Sequence, residues 1–341
     1  MLTTKDNIFY FIYLHRTGLT VTALSAVLLI WPLIESNPYN LGLSNLIAIY
    51  TMVVLGLNLF IGYAGQISLG HAAFFAIGAY GSAIGTTTLG GPAWPVMAAV
   101  ALIAAIIALA VGLPALKLSG HYLAMATLGF GLIVEHMIVE WGELTGGPSG
   151  LSGVERLSVG SVNLYTPGIR YYYLVLAVVT LCIILAHNLV DSRTGRALRA
   201  IHGSEIAANT LGVDASRLKL HVFVLSAVMA ALGGALYVHY LGFIAPASCG
   251  FKYSIQLVTM VVVGGMATIW GSVLGAAILT VLPQVLTFLE DYDILVYGLI
   301  LILMMLFMPE GIARGIAGAA RWIREKLAGI RGRPDPERGT P

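Results

Sequence analysis

Charged side chains are scarce in this sequence: they make up 10% of its 341 residues, whereas 58% are hydrophobic. A soluble domain carries about 25% charged residues, and no packed core could hide the surplus apolar surface found here. The composition therefore excludes an ordinary soluble protein and predicts a polytopic membrane protein. The net charge of +2 is also too small to indicate nucleic-acid binding.

Recognisable catalytic motifs are absent as well. None of the lysines has the Gly before it and the Ser or Thr after it that a phosphate-binding loop requires, and no HExxH, CxxC or GxSxG pattern occurs. The two cysteines, Cys182 in an apolar run and Cys249 in a connection, are not expected to form a disulfide. We therefore expect no catalytic residue, no metal site and no cofactor bound by this chain itself.

Long apolar runs are what the sequence does contain. A helix rises about 1.5 Å per residue and the hydrocarbon layer is about 30 Å thick, so a span needs about 20 mostly apolar residues. About ten such segments predict an all-α membrane fold: 19–34, 44–63, 66–85, 94–116, 122–139, 171–190, 220–243, 255–269, 272–289 and 294–308. Whether segments 66–85 and 255–289 cross fully or re-enter stays open, because glycines and polar residues interrupt the first and the span at 255–269 is short.

The positions of Lys and Arg predict the orientation, because cytoplasmic loops carry an excess of positive charge. These residues concentrate in segment 191–219 and in the tail 310–341. Ten spans place both on the cytoplasmic side together with the N-terminus 1–18, whereas nine would misplace one terminus. We therefore predict a transmembrane domain over 19–309, with an outer loop at 141–170 and a basic cytoplasmic tail.

The polar segment 191–219 lies between two membrane-length runs and predicts a docking element. Ser204 can cap a helix that begins at the acidic Glu205 and ends at Gly212. Such a short helix with a face of small residues would be available to a soluble partner on the cytoplasmic side.

Glycine clusters at 62–81 and 263–277 have two interpretations. Small residues let helices approach closely in lipid, which is a purely structural role. Alternatively, they break helices at mid-membrane depth and expose backbone groups to a substrate path. In the second case the candidate path residues are Gln66, Ser68, His71, Gly264 and Gly265.

Five stretches, in order, resemble the membrane subunits of branched-chain amino-acid ABC importers, most closely the M-type subunit. They are GLNLFIGYAGQISLGHAAFFAIGAY at 56–80, GHYLAMATLGFGLIVE at 120–135, TGGPSGLSG at 145–153, GRALRAIHGSEIAANTLGVD at 195–214 and LVTMVVVGGMATIWGSVLGAAIL at 257–279. The resemblance covers roughly 45–311, which is most of the chain.

The resemblance implies a permease subunit in the bacterial cytoplasmic (inner) membrane. Its implied partners are a second, homologous permease, two cytosolic ATPase subunits that carry ATP and Mg²⁺, a periplasmic substrate-binding protein and membrane lipid. Segment 191–219 would then couple the permease to the ATPases. The implied coupling residues are Gly195, Glu205, Ala207, Ala208 and Gly212.

The coupling motif departs from the importer superfamily's EAA-x3-G pattern. Ala207, Ala208 and Gly212 fit it, but Glu205 lies one residue early, and the Ile-x-Leu-Pro that follows in one large importer class is missing. The departure favours the architecture of ribose-type and vitamin-type importers.

Alternative functions stay open at this stage. The substrate could instead be urea, a short amide or another amino acid. An ion-coupled secondary transporter would need buried carboxylates at mid-depth, and the sequence offers only Glu135, which falls near the outer interface. A channel would need a ring of charged residues, and none stands out.

Overall fold

The computed structural model describes residues 31–32, 37–159, 162–163 and 169–285, and beyond them 295, 298–299, 302–303, 306, 311–313 and 315. The predicted N-terminal segment 1–18, most of the span 19–34, most of the span 294–308 and nearly all of the tail 310–341 lie outside the described residues.

Helices dominate the described part of the chain. They are α1 Pro38–Asn58, which continues into a π-helical turn Leu59–Tyr63, α2 His71–Thr87, α3 Ala93–Ala115, α4 His121–Glu140, α5 Gly142–Thr145, α6 Ile169–Asp191, α7 Arg193–Gly203, α8 Glu205–Thr210, α9 Ala215–Leu241, α10 Phe251–Gly264 and α11 Ile269–Val285. Two 3₁₀ turns are found at Gly147–Ser149 and Pro246–Ser248.

Short strands occur in the connections. Strand β1 Leu151–Ser152 pairs antiparallel with β4 Phe243–Ile244, and β2 Ser158–Val159 forms a hairpin with β3 Val162–Asn163. Strands β1, β2 and β3 lie within the segment 141–170 that the sequence predicts as an outer loop.

Six helical stretches among the described residues are long and apolar enough to cross a membrane: Pro38–Tyr63, Ala93–Ala115, His121–Glu140, Ile169–Asp191, Ala215–Leu241 and Pro246–Gly264. The prediction of a polytopic, helical membrane protein is therefore confirmed. The count of about ten spans is not confirmed and stays a prediction.

Several predicted helix boundaries were wrong. The helix predicted from residue 44 begins at Pro38, because Asn37 caps it by accepting a hydrogen bond from the Tyr39 backbone at 3.0 Å. The helix predicted over 66–85 begins only at His71. The span predicted over 255–269 ends at Gly264, and the next helix begins at Ile269, earlier than the predicted residue 272.

Helix α9 forms the centre of the bundle and packs against α1, α2 and α3. Its contact with α2 depends on glycine: a Cβ atom on Gly78 would collide with the carbonyl of Ala231, and one on Gly234 with the carbonyl of Phe75. Close backbone approach of this kind supports the packing interpretation for these glycines.

Polar side chains also join α2 and α9 near the C-terminal ends of both helices. The Nε2 atom of His239 in α9 lies 2.8 Å from the hydroxyl of Ser82 in α2. Its Nδ1 atom lies 2.6 Å from the backbone carbonyl of Glu155, in the connection between β1 and β2. Since the His239 side chain is fully buried, these partners satisfy a group that would be costly to leave unpaired in an apolar environment.

Candidate functional site

The chain between α1 and α2 is broken inside the bundle; we call residues 64–70 the first break. The π-helical turn Leu59–Tyr63 ends α1, and Gly65 then takes a left-handed conformation with φ of +67°. The side-chain Nε2 of Gln66 donates to the Ala64 carbonyl at 3.2 Å. Irregular backbone at membrane depth is tolerated where protein surrounds it or where it lines a cavity.

The chain between α10 and α11 is broken in the same way; we call residues 265–268 the second break. Gly265 has φ of +123° and Ala267 has φ of +55°. Among the described residues, Ala267 is the one non-glycine residue with a positive φ. A non-glycine residue in this conformation is uncommon and strained, so the surrounding contacts must hold it in place.

Asn58, one residue before the π-helical turn, holds the second break in place. Its side-chain carbonyl accepts from the Ala267 amide at 2.9 Å, and its side-chain nitrogen donates to the Thr268 carbonyl at 2.8 Å and to the Ser272 hydroxyl at 2.9 Å. The Asn58 side chain is buried. It therefore supplies the partners that a helix would have given to this backbone.

Glycine lets the π-helical turn at the end of α1 approach the second break. A Cβ atom on Gly62, in the π-helical turn, would collide with the backbone nitrogen of Ala267. Gly264 has a similar role, because a Cβ there would collide with the carbonyl of Gly271 in α11. The predicted path residues Gly264 and Gly265 thus lie at the second break.

The predicted path residues Ser68 and His71 lie together at the first break. His71 Nδ1 is 2.9 Å from the Ser68 hydroxyl, and its Nε2 is 2.9 Å from the Ser226 hydroxyl in α9. Ser226 itself donates to the Phe223 carbonyl at 2.8 Å. Its hydroxyl oxygen is then left to accept from Nε2–H, which makes Nδ1 the acceptor for Ser68.

Aromatic rings enclose this histidine. The centroids of Phe60, Phe74 and Phe223 each lie 6.1 Å from that of the His71 ring, and the His71 and Ser68 side chains are both buried. Both ring nitrogens of His71 therefore have hydrogen-bond partners, and the bond to Ser226 links α2 to α9. Gln66, in contrast, is half-buried. That these residues line a path stays a prediction.

Segment 191–219 folds into the helices α7 and α8 and the first residues of α9. Ser204 caps α8 by accepting from the Ala207 amide at 3.3 Å, as its sequence position predicts. The helix ends at Thr210, two residues before the predicted end, and Gly212 follows in a left-handed conformation with φ of +83°.

The predicted coupling residues do not share one face. Ala208 is buried against Ile201 and Ala215. Gly195 is buried too, because a Cβ there would collide with the carbonyl of Val190. Ala207 and Gly212 are exposed, and Glu205 is half-buried.

Two large apolar side chains that are not among the predicted coupling residues project from this segment. Ile206 is 80% exposed and Leu211 is 82% exposed. Ile206 lies within α8 and Leu211 directly follows that helix; large apolar residues in a segment rich in charged and polar residues are the signal that points to them. Exposed apolar groups rimmed by polar residues are typical of a protein contact surface. We call Ile206, Ala207 and Leu211 the apolar patch.

An ion pair attaches α8 to the base of α9. The ammonium of Lys219 lies 2.7 Å from a carboxylate oxygen of Glu205, and the Lys219 side chain is 3% exposed. The sequence gives little sign of this pair, because the two residues are 14 positions apart and on different helices. The C-terminal end of α7 lies next to the first break, because a Cβ on Gly65 would lie 3.1 Å from Nδ1 of His202.

Glu135 has a structural partner. Its carboxylate accepts from the Phe251 amide at 3.1 Å, at the N-terminus of α10. A carboxylate in this position satisfies an otherwise unpaired helix N–H and interacts favourably with the helix dipole. Among the described residues no group of three or more His, Cys, Asp or Glu side chains is placed to hold a metal ion.

Membrane-length apolar helices around two broken segments define a multi-pass membrane protein with an irregular, polar-bonded centre, an architecture typical of transport proteins. A family model described as the branched-chain amino acid transport system / permease component matches residues 39–307. The chain belongs to this family.

Characterised relatives agree with this assignment. The chain is 32% identical over 319 residues to the high-affinity branched-chain amino acid transport system permease protein LivM of Escherichia coli K12, a match covering 87% of this chain and 75% of the relative. It is 30% identical over 286 residues to the corresponding protein LivH of Salmonella typhimurium, covering 77% and 90%.

A third relative is named for a different solute. The autoinducer 2 import system permease protein LsrC of Yersinia pestis is 31% identical over 195 residues, covering 54% of this chain and 53% of the relative. No solved structure matches the chain.

Proposed function

We propose that this protein is a membrane-spanning permease subunit of an ATP-driven importer for leucine, isoleucine and valine. Family membership and the names of the relatives that cover most of the chain support this substrate class. The shorter match to an autoinducer 2 permease supports the same transport role for a different solute. ATP hydrolysis belongs to partner subunits.

The partners follow from this role. The chain pairs with a second, homologous permease and works with two cytosolic ATPase subunits and a periplasmic binding protein in the bacterial cytoplasmic membrane. The termini and segment 191–219 face the cytosol, in line with the excess of Lys and Arg there. About ten spans arranged as in ribose-type and vitamin-type importers satisfy this orientation.

The observation that carries the proposal is the apolar patch on α8. Its side chains Ile206 and Leu211 are presented by a helix that is capped at Ser204 and tied to α9 through Lys219. A soluble ATPase subunit is the occupant that we propose for this surface, with Ala207 between the two larger side chains and Glu205 and Gly212 at its rim. Ala208 and Gly195 shape the segment from within.

Two sets of contacts connect α8 with the first break. The Glu205–Lys219 pair leads directly into α9, which holds Ser226 against His71. Helix α7 leads through His202 to Gly65 at the first break. We propose that ATPase closure moves these elements as a unit and thereby reshapes the path around Gln66, Ser68, His71, Gly264 and Gly265.

Reconstitution tests this function. The permease pair, its ATPases and the binding protein are placed in proteoliposomes, and uptake of radiolabelled leucine is measured with ATP, with a non-hydrolysable analogue and with an ion gradient alone. We expect uptake only with ATP and the binding protein. Uptake driven by the gradient without ATPase subunits would identify a secondary transporter, and uptake of urea in preference to leucine would overturn the substrate class.

A further inference from the structure

A cavity of about 220 Å³ lies among α1, α9, α10 and the 3₁₀ turn that precedes α10. The residues that give it chemical character are Tyr50, Tyr237, Ser248, Lys252, Tyr253 and Gln256. None of them belongs to the two breaks or to segment 191–219, so the cavity is a separate feature of the bundle.

The cavity lies at the opposite end of α9 from segment 191–219. Helix α9 begins at Ala215, directly after that segment, and ends at Leu241. Tyr237 is close to this second end, about 33 Å along the axis from Ala215 at about 1.5 Å per residue. Given the proposed orientation, the cavity is on the outer side, where an importer receives its substrate.

Stacked tyrosines form one wall. The rings of Tyr50 and Tyr237 stack with centroids 6.2 Å apart, and Tyr253 lies 5.8 Å from Tyr50. Phe75 supports them from α2, with its centroid 4.8 Å from that of Tyr253. These rings offer an apolar surface and π faces, which attract an alkyl side chain and an ammonium group respectively.

Polar groups are arranged around this wall. Lys252 and Gln256 are one turn apart on α10, so their side chains share a face of that helix. The Tyr237 hydroxyl is hydrogen-bonded to the side chains of Ser248 and Tyr50. The Tyr253 hydroxyl is buried and has no hydrogen-bond partner among the described residues. Because this hydroxyl is enclosed by protein, the ring of Tyr253, and not its hydroxyl, is the part that we assign to ligand contact.

The size of the cavity narrows the ligand class. At about 30 Å³ per water molecule, it has room for roughly seven waters, and it is smaller than the 300–1,000 Å³ typical of pockets for drug-sized ligands. It therefore suits a compact molecule. An ammonium and an amide on one helix face recognise a carboxylate, and the aromatic wall recognises an apolar body.

We propose that this cavity is a binding site for an apolar α-amino acid on the outer side of the permease. Lys252 and Gln256 contact the carboxylate, and the rings of Tyr50, Tyr237 and Tyr253 contact the side chain and the ammonium group. The site rests on the proposed function, because it would be the first place where the permease holds the molecule that the importer carries. It adds substrate selection within the membrane subunit to the selection made by the binding protein.

Direct binding to the purified permease–ATPase complex, without the binding protein, tests the site. The probe is radiolabelled leucine, with isopentylamine, which lacks the carboxylate, and 4-methylpentanoate, which lacks the ammonium group, as competitors. We expect saturable leucine binding that both competitors displace less well than unlabelled leucine. Lys252→Met should weaken leucine binding about tenfold or more, since a charge-assisted hydrogen bond is lost, and should leave isopentylamine competition unchanged.

Three controls make the outcome decisive. Lys252→Arg keeps the charge and should retain most of the binding. Lys117→Met removes a lysine at the other end of the bundle, beside Arg217, and should leave binding unchanged. Basal ATP hydrolysis by each variant complex reports that it is folded and assembled.

Failure of the site and failure of the proposed function give different results. Equal leucine affinity in wild type and Lys252→Met, with normal basal ATP hydrolysis, would overturn the site while leaving the importer intact. A complex that hydrolyses ATP but binds no leucine would overturn it as well. If the wild-type complex shows no ATP-driven leucine uptake with the binding protein present, the proposed function itself fails.

Discussion

The ammonium nitrogen of Lys219 lies 2.7 Å from a carboxylate oxygen of Glu205, and this contact joins the short helix α8 to the base of α9. The two side chains differ in environment, because Lys219 is 3% exposed and Glu205 is 36% exposed. The pair is therefore a buried ammonium held by a carboxylate that water still reaches. Removal of the carboxylate strands a buried charge, whereas removal of the ammonium returns Glu205 to solvent.

This asymmetry gives the first prediction. Glu205→Ala should destabilise the segment more than Lys219→Met, and the double variant should show a coupling energy of about 0.5–3 kcal/mol between the two positions. Both single variants should lower the stimulation of ATP hydrolysis by loaded binding protein, because α8 is no longer tied to α9. Thermal unfolding of the purified permease and the stimulated hydrolysis rate measure the two effects.

A matched control is available one turn away. Arg217 and Asp214 form an ion pair of 2.9 Å in which both side chains are well exposed. Such a surface pair contributes little to stability, so Arg217→Met should change neither measurement appreciably. If the Arg217 and Lys219 variants behave alike, the special role of the Glu205–Lys219 contact is refuted.

The apolar patch gives the second prediction. Ile206→Lys and Leu211→Lys should abolish co-purification of the ATPase subunits with a tagged permease while leaving the permease's own thermal stability unchanged. The reason is that both side chains are exposed, so a lysine there is solvated in the free permease and desolvated only on docking. The conservative changes Ile206→Leu and Leu211→Ile should retain the ATPase.

Ala208→Lys tests a residue that supports the fold of segment 191–219 and does not itself touch the ATPase. This side chain is buried against Ile201 and Ala215, so a lysine there should also uncouple transport, but by loosening the segment. Increased protease cleavage within 191–219 would accompany the loss. Normal, substrate-stimulated hydrolysis by this variant would show that the segment is not the coupling element.

Local features of this segment could be predicted from the sequence, and its tertiary contacts could not. The Ser204 cap and the left-handed Gly212 depend on neighbouring residues, and both are found close to their predicted places. The burial of Ala208 depends on Ile201 and Ala215, which lie on separate helices. Spacing alone could not show which side of α8 faces inward.

The helix breaks illustrate the same division. From the sequence, the glycine clusters at 62–81 and 263–277 were consistent with close packing as well as with broken helices, and in the structure each cluster contains a break. The second break is bonded by Asn58, whose side-chain nitrogen lies 2.8 Å from the carbonyl of Thr268. The two residues are 210 positions apart in the sequence. A polar residue near the end of an apolar helix gives no indication of so distant a partner.

Asn58 gives the third prediction. Asn58→Leu has a similar size but leaves the Ala267 amide and the Thr268 carbonyl without partners, which costs about 1–3 kcal/mol for each buried group. We expect a clear fall in the melting temperature of the purified permease and a loss of uptake. Asn58→Asp should be intermediate, because its carboxylate still accepts from Ala267 but cannot donate to Thr268.

Asn45 in the same helix is the matched control for this change. It is also buried, but its side-chain oxygen has no hydrogen-bond partner among the described residues. Asn45→Leu should therefore cost less than Asn58→Leu. A larger cost at Asn45 would contradict the assignment of Asn58 as the residue that holds the second break.

Gly62 gives the fourth prediction, which concerns the approach of α1 to the second break. A Cβ atom at this position would collide with the backbone nitrogen of Ala267 and with the side-chain oxygen of Asn58. Neither atom can move without breaking the hydrogen bond that joins them. Gly62→Ala should therefore separate the two regions, lower the melting temperature and reduce uptake several-fold, although alanine is the better helix former.

Gly129 in α4 supplies the comparison, because a Cβ there meets no atom of the chain within 4 Å. Gly129→Ala should leave the stability of the isolated permease unchanged or raise it by up to about 1 kcal/mol, the gain expected from helix propensity alone. Each variant adds one methyl group to the wild-type protein, so a difference between their melting temperatures reports only the effect of its position. Equal melting temperatures would mean that close contact at Gly62 does not hold the second break in place, and that the breaks are maintained by the Asn58 hydrogen bonds alone.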